Sequence, residues 1–232
     1  MKGEALERFI SLLFPRGCVL CGKTVAYDDL LCGTCSPDRP TCKLCLRCGK
    51  PHSSCVCPGP DEGWAFSGVV SALPYRGGTR DAILRLKKTP DARICKFFAG
   101  EMAGALRDRL PDAAFDIIAE TPMHPDKLAR RGFNHAELLA AQVAAELRIP
   151  HRMRLLACTG AEGQQHNLNR EQRFAAVRDR YELRAGGAKG KAVLLVDDVL
   201  TTGATAHACA RRLLDGGAKS VYVLTAAGTD KI

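Results

Sequence analysis

The chain has 232 residues, of which 46% are hydrophobic and 25% charged, so it is long enough for one or two domains and too apolar for a disordered protein. Its formal net charge of +9 suggests an anionic partner such as a nucleic acid or a phosphate ester, although the basic residues are spread along the chain. No apolar run reaches the roughly 18 residues of a membrane span and the first residues lack a secretory signal pattern, so we expect a cytoplasmic protein without a membrane span.

The N-terminal quarter differs in composition from the rest of the chain. Residues 5–14 place apolar side chains at helical spacing, which predicts a short amphipathic helix. Residues 15–60 are poor in aliphatic runs and rich in Cys, Gly and Pro, so they need a cross-link or a metal to fold. A turn-rich break follows at 58–63. We therefore predict two domains, residues 1–60 and residues 61–232.

Nine of the twelve cysteines lie between Cys18 and Cys57. In a reducing compartment such a density indicates metal binding rather than disulfides. The first four form two pairs with CxxC spacing, and four thiolates on two short turns suit a tetrahedral Zn²⁺ ion. The predicted ligands of a first structural zinc are Cys18, Cys21, Cys32 and Cys35.

Five further cysteines are available for a second zinc site, which needs four. Cys48 is followed by Gly49 just as Cys21 is followed by Gly22, and this repeat favours one set of ligands: Cys45, Cys48, Cys55 and Cys57. Cys42 is then a spare, although it could pair with Cys45, and His52 is a more remote substitute. Closed Cys₄ sites are structural rather than catalytic, so both ions should serve folding and the presentation of a surface.

After Gly63 the sequence alternates between predicted strands and helices. The predicted strands are 65–74, 116–120, 153–157, 191–198 and 220–227, and the predicted helices are 78–88, 92–110, 136–148 and 202–217. Asn134 could cap the third helix, and a Gly-Gly pair should end the fourth. Two of the strands, 191–198 and 220–227, are continuously apolar, which is typical of a parallel sheet covered on both faces. The expected class is therefore α/β.

The segment VLLVDDVLTTGAT (193–205) has the chemistry of a ribose-phosphate site. A buried strand leads to Asp197 and Asp198, whose carboxylates can accept hydrogen bonds from sugar hydroxyls. A loop and the start of a helix follow, and N–H groups there can bind a phosphate that glycine allows to approach closely. The loop residues are Thr201, Thr202, Gly203, Ala204 and Thr205. The simpler alternative is a strand end and an ordinary helix cap, which would need only one acid and one threonine.

This segment resembles the 5-phosphoribosyl-1-pyrophosphate (PRPP) motif of type I phosphoribosyltransferases. Nearly all of residues 15–228 resembles the ComF family, also called GntX, which joins a double zinc ribbon to a phosphoribosyltransferase-type domain. Besides the cysteine pairs and the PRPP motif, the matching residues are Tyr75-Arg76-Gly77 with Ile83 and Lys87, Thr121 to Pro125, Arg130 to Asn134, and Gln165 and Leu168 with Arg173. One departure is Glu120 to Met123, where the family commonly has a Val-Pro-Val/Leu-Pro-like run.

The resemblance implies a Rossmann-like, parallel-sheet phosphoribosyltransferase domain that binds PRPP with Mg²⁺. Transfer would require groups that hold the ribose, bind the phosphates and neutralise the leaving pyrophosphate. The expected catalytic residues are Asp197, Asp198, Arg131 and Lys87, and the expected PRPP-binding residues add Pro122 and His124 to the 201–205 loop. Polar residues 159–173 could form a lid. Simpler alternatives remain for the cations: Arg130 and Arg131 could form a solvated face, and Lys87 could complement a helix dipole.

The resemblance also implies a role in natural transformation, with incoming single-stranded DNA and with helicase or recombination-protein partners. The alternatives are a metabolic phosphoribosyltransferase for an unidentified base or amine, and a regulator that senses PRPP without turnover. Residues 1–60 carry a charge of +3 that two Cys₄–zinc sites would change to about −1, so protein docking suits the ribbon at least as well as DNA contact. The surplus of +6 lies in residues 61–232 and favours an anion-binding cleft there.

Overall fold

The computed structural model describes residues 16–42, 44–55, 57, 63–159, 180–184 and 187–229. The predicted helix at 5–14 and most of the predicted lid at 159–173 lie outside these residues, as does most of the predicted break at 58–63. Among the described residues, no helix is both long enough and apolar enough to cross a membrane.

The chain after Gly63 alternates strands and helices, as the sequence predicts. Its strands are β3 (Gly68–Pro74), β4 (Ile117–Glu120), β5 (Leu156–Cys158), β6 (Tyr181–Leu183), β7 (Ala192–Leu200) and β8 (Ser220–Gly228). Its helices are α1 (Gly77–Leu86), α2 (Ala92–Arg109), α3 (Pro125–Arg131), α4 (His135–Leu147) and α5 (Ala204–Asp215). The N-terminal part contains the short strands β1 (Arg16–Gly17) and β2 (Thr24–Val25) and a 3₁₀ turn at His52–Ser54.

The central sheet is parallel and runs in the order β3-β8-β7-β4. Alternate residues of β7 face opposite sides: Leu194 and Val196 pack with α1, α2 and α4, whereas Val193 and Leu195 pack with α5. Because both faces are covered, β7 needs apolar side chains at successive positions, and this explains its continuous hydrophobic run. The predicted α/β class with a parallel sheet is confirmed.

Helix α3 was not predicted from the sequence. It has seven residues, none of them buried, so it lacks the apolar periodicity by which helices are recognised. Its signals are only local: the side chain of His124 caps the first turn, Pro125 follows, and Gly132 ends the helix with φ of +82°. Strand β7 also extends two residues beyond the predicted end, which places Asp197 and Asp198 within the strand.

Candidate functional site

The first tetracysteine cluster gathers the four predicted residues, Cys18, Cys21, Cys32 and Cys35, with their sulfur atoms within 4.8 Å of one another. The sulfurs of Cys21 and Cys32 are 3.7 Å apart. Four sulfurs bound to one Zn²⁺ at about 2.3 Å in tetrahedral geometry would be separated by about 3.8 Å, so the donor set fits zinc. Thr34 hydrogen-bonds to the sulfur of Cys32 and is the main cause that lowers the pKa of Cys32 to about 6, whereas hydrogen bonds with Cys21 and Cys32 raise the pKa of Cys35 to about 12.

The second cluster gathers Cys45, Cys48, Cys55 and Cys57, again with sulfurs within 4.8 Å. Separations of 3.4 Å between the sulfurs of Cys45 and Cys57, and of 3.6 Å between those of Cys48 and Cys55, also suit zinc. Neither Cys42 nor His52, the two alternatives that the sequence left open, belongs to this cluster.

The two clusters are built on the same turn. Cys18 N–H donates to the carbonyl of Lys23, and Cys45 N–H donates to the carbonyl of Lys50, both at 2.7 Å. In each turn the residue after the second cysteine is a glycine with positive φ, +79° at Gly22 and +74° at Gly49. A side chain would be strained in this conformation, and this requirement explains the repeated Cys-Gly pair.

The first turn rests on helix α1. The side chain of Leu20 covers Gly78, where an added Cβ would lie 2.8 Å from the Leu20 Cβ. Arg85 of the same helix donates to the carbonyl of Val19. Both Val19 and Leu20 are buried in the core cluster that also contains residues of α1 and α2. The first turn is therefore part of the hydrophobic core rather than a detached arm.

The second turn rests on the sheet. The carbonyl of Leu46 accepts a hydrogen bond of 2.7 Å from the N–H of Val69 in β3. Gly49 lies so close to Leu200, the last residue of β7, that an added Cβ would be 2.7 Å from the Leu200 Cδ2. Because Leu200 directly precedes the 201–205 loop, this turn supports the strand that carries the predicted ribose-phosphate motif.

The acid pair of β7 is partnered from two helices. Lys87, which follows α1, places its Nζ 2.6 Å from Oδ2 of Asp198. His135, in the first turn of α4, places its Nε2 3.3 Å from the same oxygen. Oδ1 of Asp198 accepts a 2.8 Å hydrogen bond from the N–H of Val199. The predicted Lys87 thus reaches the site through Asp198, and His135 is a further member that sequence reasoning missed.

The two carboxyl groups titrate in opposite directions. Burial, followed by repulsion from Asp198, raises the pKa of Asp197 to about 8. Burial also opposes the ionisation of Asp198, but the hydrogen bond from His135 and the charge of Lys87 hold its pKa well below the ordinary value. At neutral pH the pair therefore presents one neutral carboxylic acid and one carboxylate, that is, one additional donor beside an acceptor.

The 201–205 loop leads directly into helix α5. Gly203 adopts φ of +79°, and its Cα faces the ring of Trp64, so that an added Cβ would lie 3.0 Å from two ring carbons. Oγ1 of Thr202 accepts a 3.4 Å hydrogen bond from the N–H of Ala204. Trp64 therefore packs on the loop from one side and leaves no room for a side chain at position 203.

The turn between β4 and α3 forms another wall of the site. Nδ2 of Asn134 donates to the carbonyl of Thr121 at 3.1 Å, while its Oδ1 caps α4 by accepting from Ala136 N–H. Nδ1 of His124 accepts from Asp126 N–H at 3.2 Å, so its role in the structure is to cap α3. Oγ1 of Thr121 is buried without a hydrogen-bond partner among the described residues and lies on the wall of the cleft.

Glu120, the first residue of the departure from the ComF pattern, takes part in packing rather than in the cleft. Its side chain is buried, and its Oε2 lies 2.8 Å from Nε2 of His151. Its Oε1 accepts from the N–H of Arg154, a residue with positive φ of +55°. The glutamate therefore fixes the chain at 151–154 beside β4, which explains a charged residue at the end of a buried strand.

These elements surround a cleft of about 260 Å³. Five predicted residues line it: Pro122, His124, Asp197, Asp198 and Thr205. Six others do not: Lys87, Arg131, Thr201, Thr202, Gly203 and Ala204. The residues that sequence reasoning missed include Lys127, His135, Arg180 and Tyr181. Tyr181 and Thr205 both lie on the cleft wall, so the β5–β6 hairpin meets the start of α5 there.

A larger groove of about 1010 Å³ lies between the cysteine-rich segment and helix α2, away from the acid pair. Its wall includes Cys42, Arg39 and Arg109, and a bidentate ion pair joins Arg39 to Glu101. None of the predicted catalytic residues lines it. We therefore assign the ligand chemistry to the smaller cleft, where the carboxylates and the helix start converge.

Comparisons with known proteins match both the C-terminal part of the chain and most of its whole length. The phosphoribosyl transferase domain family matches residues 128–231. Competence protein ComFC of Streptococcus pneumoniae is 27% identical over 223 residues, which cover 88% of this chain and 96% of that protein. DNA utilization protein YhgH of Escherichia coli is 29% identical over 229 residues, which cover 91% of this chain and 96% of that protein.

A crystal structure of adenine phosphoribosyltransferase matches 62% of this chain and 73% of its own, with a TM-score of 0.40 and 17% identity. The sequence matches confirm the resemblance to the ComF family that the motifs indicated: the chain is similar over most of its length to proteins named ComFC and YhgH, residues 128–231 match the phosphoribosyl transferase domain family, and two tetracysteine clusters precede this match.

Proposed function

We propose that the protein binds a ribose 5-phosphate ligand, first of all PRPP with Mg²⁺, in the cleft beside the acid pair. The observation that carries this proposal is the convergence of three features on one cleft of about 260 Å³: the carboxyl groups of Asp197 and Asp198, the start of α5 at Thr205, and the turn after Thr121. Phosphate and sugar recognition need these different groups, and no single helix cap would require all of them.

In this proposal the ligand lies across the carboxyl end of β7. The 5-phosphate binds at the N-terminus of α5, where backbone N–H groups and Thr205 can donate. The ribose hydroxyls face the acid pair, with Asp198 as the acceptor and the neutral Asp197 able both to donate and to accept. Lys87 holds Asp198 in place, so we now assign it a positioning role.

The pyrophosphate of PRPP would occupy the other end of the cleft. The turn from Thr121 to His124 is there, with Lys127 and Arg180 also on the wall. These cations can neutralise part of the negative charge, and bound Mg²⁺ would supply the rest and stabilise a leaving pyrophosphate. The free Oγ1 of Thr121 is a buried donor that a ligand oxygen could use.

For the cellular role we propose work on DNA in the cytoplasm, as the names of the ComFC and YhgH proteins suggest for those relatives. Single-stranded DNA and a helicase or recombination protein are the proposed partners. The two tetracysteine turns would act as structural zinc sites, and the surface they present would be the docking surface. A net positive charge in residues 61–232 suits DNA contact by this part of the chain.

Calorimetry with PRPP and Mg²⁺ tests the binding proposal directly. We expect saturable binding to the wild type and a loss of about a hundred-fold or more in the Asp197→Ala/Asp198→Ala variant, because both ribose contacts are removed. The exposed Asp112 supplies a matched control, since Asp112→Asn changes one carboxyl group outside the cleft. Absence of binding to the folded wild type, or equal affinity in the double variant, would overturn the proposal.

Turnover separates the remaining alternatives. A metabolic phosphoribosyltransferase would release pyrophosphate from PRPP when a base or amine acceptor is supplied, and Lys127 and Arg180 in the cleft are the observation that favours this second candidate. A regulator would bind PRPP and release no pyrophosphate.

Arg130 is exposed, so its side chain is available for contact with DNA. Weaker retention of single-stranded DNA by Arg130→Ala, with a smaller dependence on salt, would indicate direct DNA contact.

A further inference from the structure

His135 lies between Arg131 and Asp198, two charged residues that belong to separate sequence motifs. Its ring is almost completely buried in the first turn of α4. Nδ1 lies 2.8 Å from a guanidinium nitrogen of Arg131, and Nε2 lies 3.3 Å from Oδ2 of Asp198. The imidazole therefore forms a bridge from the end of α3 to the acid pair of β7.

The contact with Arg131 determines which ring nitrogen carries the proton. A guanidinium group has only donors, so Nδ1 of His135 must be the acceptor in a 2.8 Å hydrogen bond with it. The proton of the neutral ring is then on Nε2, which lies 3.3 Å from Oδ2 of Asp198, a buried oxygen that has no hydrogen bond of good geometry among the described residues.

We propose that His135 is a positioning residue for ribose recognition: its Nε2–H, fixed by Arg131, orients the Asp198 carboxylate toward the ligand. This inference rests on the proposed function and deepens it. The N–H of Val199 donates to Oδ1 of Asp198, while Lys87 Nζ and His135 Nε2 lie 2.6 and 3.3 Å from Oδ2. A carboxylate confined by these three nitrogens needs little reorganisation when the sugar binds.

The same three side chains, His135, Asp197 and Asp198, have ligand atoms within 4.8 Å of one another and could be regarded as a metal site. The surroundings favour the hydrogen-bonded arrangement instead. The Lys87 ammonium already lies 2.6 Å from the Asp198 oxygen that a cation would use. A metal would also need the lone pair of Nε2, whereas the Arg131 contact places the proton there.

Two substitutions at position 135 separate a hydrogen bond from packing. In His135→Gln the amide can accept from Arg131 through its oxygen and donate to Asp198 through its nitrogen, so we expect PRPP affinity within about three-fold of the wild type. His135→Leu keeps the bulk and loses both polar contacts, so we expect affinity to fall by about ten-fold or more. Loss in both variants to the same extent, or retention in the leucine variant, would refute the positioning role.

Nitrogen NMR of histidine tests the tautomer without any ligand, so a failure of the PRPP proposal remains distinguishable. We expect the neutral form of the His135 ring to carry its proton on Nε2, and this tautomer preference to be lost in Arg131→Ala. Protonation at Nδ1 would contradict the inference. A titration with Mn²⁺ alone completes the test: tight binding that broadens the His135 signals and disappears in His135→Gln would replace the hydrogen-bonded bridge with a metal site.

Discussion

The cysteine-rich segment and the parallel sheet obtain their order in different ways. The sheet buries apolar side chains on both faces, and Val193 to Val196 are completely inaccessible to solvent. The turns at Cys18 and Cys45 add only a few apolar residues to that core, Val19 and Leu20 among them, and each turn also belongs to a cluster of four cysteine sulfurs within 4.8 Å. Hydrophobic burial specifies the sheet, whereas the cysteine-rich segment combines limited burial with two sets of four cysteines that could each hold a zinc ion. Perturbing the metal and perturbing the core should therefore have separable effects.

Metal removal should have the largest effect on this contrast. We expect two zinc ions per chain, and we expect chelation to disorder residues 16–57 while the parallel sheet keeps most of its secondary structure, because metal binding and folding of such sites are coupled. Metal analysis and circular dichroism are the measurements. Cys45→Ser should release one zinc, whereas Cys42→Ser, outside both clusters, should release none. One zinc per wild-type chain would count against the second site.

Removing the cation beside Asp198 should have the next largest effect. Lys87→Ala leaves a carboxylate whose side chain is only 8% exposed with His135 as its remaining side-chain partner, so we expect a loss of about 2–3 kcal/mol in the free energy of unfolding. Lys88→Ala removes the same charge from the exposed neighbouring position and should change stability by less than about 0.5 kcal/mol. Denaturant unfolding measures the stability of both variants. Equal losses in the two variants would show that the ion pair between Lys87 and Asp198 does not stabilise the fold.

Gly49→Ala tests whether the cysteine-rich region supports the ligand site. The alanine would adopt positive φ, and its Cβ would lie 2.7 Å from Leu200 at the end of β7, so we expect a loss of about 1–2 kcal/mol and weaker PRPP binding. Gly33→Ala is the matched control, because an added Cβ at this position has no atom within 4 Å. If Gly49→Ala lowers stability and leaves affinity unchanged, the two regions are coupled in folding alone.

The effect of Asp197 should appear in the pH dependence of stability. Its pKa is raised to about 8 in the folded protein from an ordinary value of 3.8, so the unfolded chain loses this proton first as pH rises. Stability from this group is complete below about pH 4 and is lost progressively up to about pH 8. We expect Asp197→Asn to unfold at a higher temperature than the wild type at pH 8, and to lose less stability than the wild type between about pH 4 and pH 8. If the unfolding temperatures of the wild type and the variant changed with pH in parallel, the pKa of Asp197 would not be raised in the folded protein.

The fold and the core of the site could be predicted because their signals are local in sequence. The CxxC turns, the apolar strand before Asp197 and the Asn134 cap each occupy a few consecutive residues. The sequence does not predict His135 as a site residue, because its proposed role depends on Arg131 and on Asp198, which is 63 positions away. Its one early signal was position, four residues after Arg131 and directly after the helix cap. Arg180 and Tyr181 had no such signal, since only the β5–β6 pairing brings them to the cleft.

The hydrogen bond from Val69 to the Leu46 carbonyl has a consequence for solubility. Strand β3 is an outer strand of the sheet, and its sequence GVVSALP is apolar. An open edge of this kind can pair with a second chain, but here Leu46 occupies Val69 N–H and Arg109 donates to the carbonyl of Ser71 at 2.9 Å. A chain that loses its second metal would uncover part of this edge, so self-association through β3, at a rate that rises with protein concentration, should accompany zinc loss.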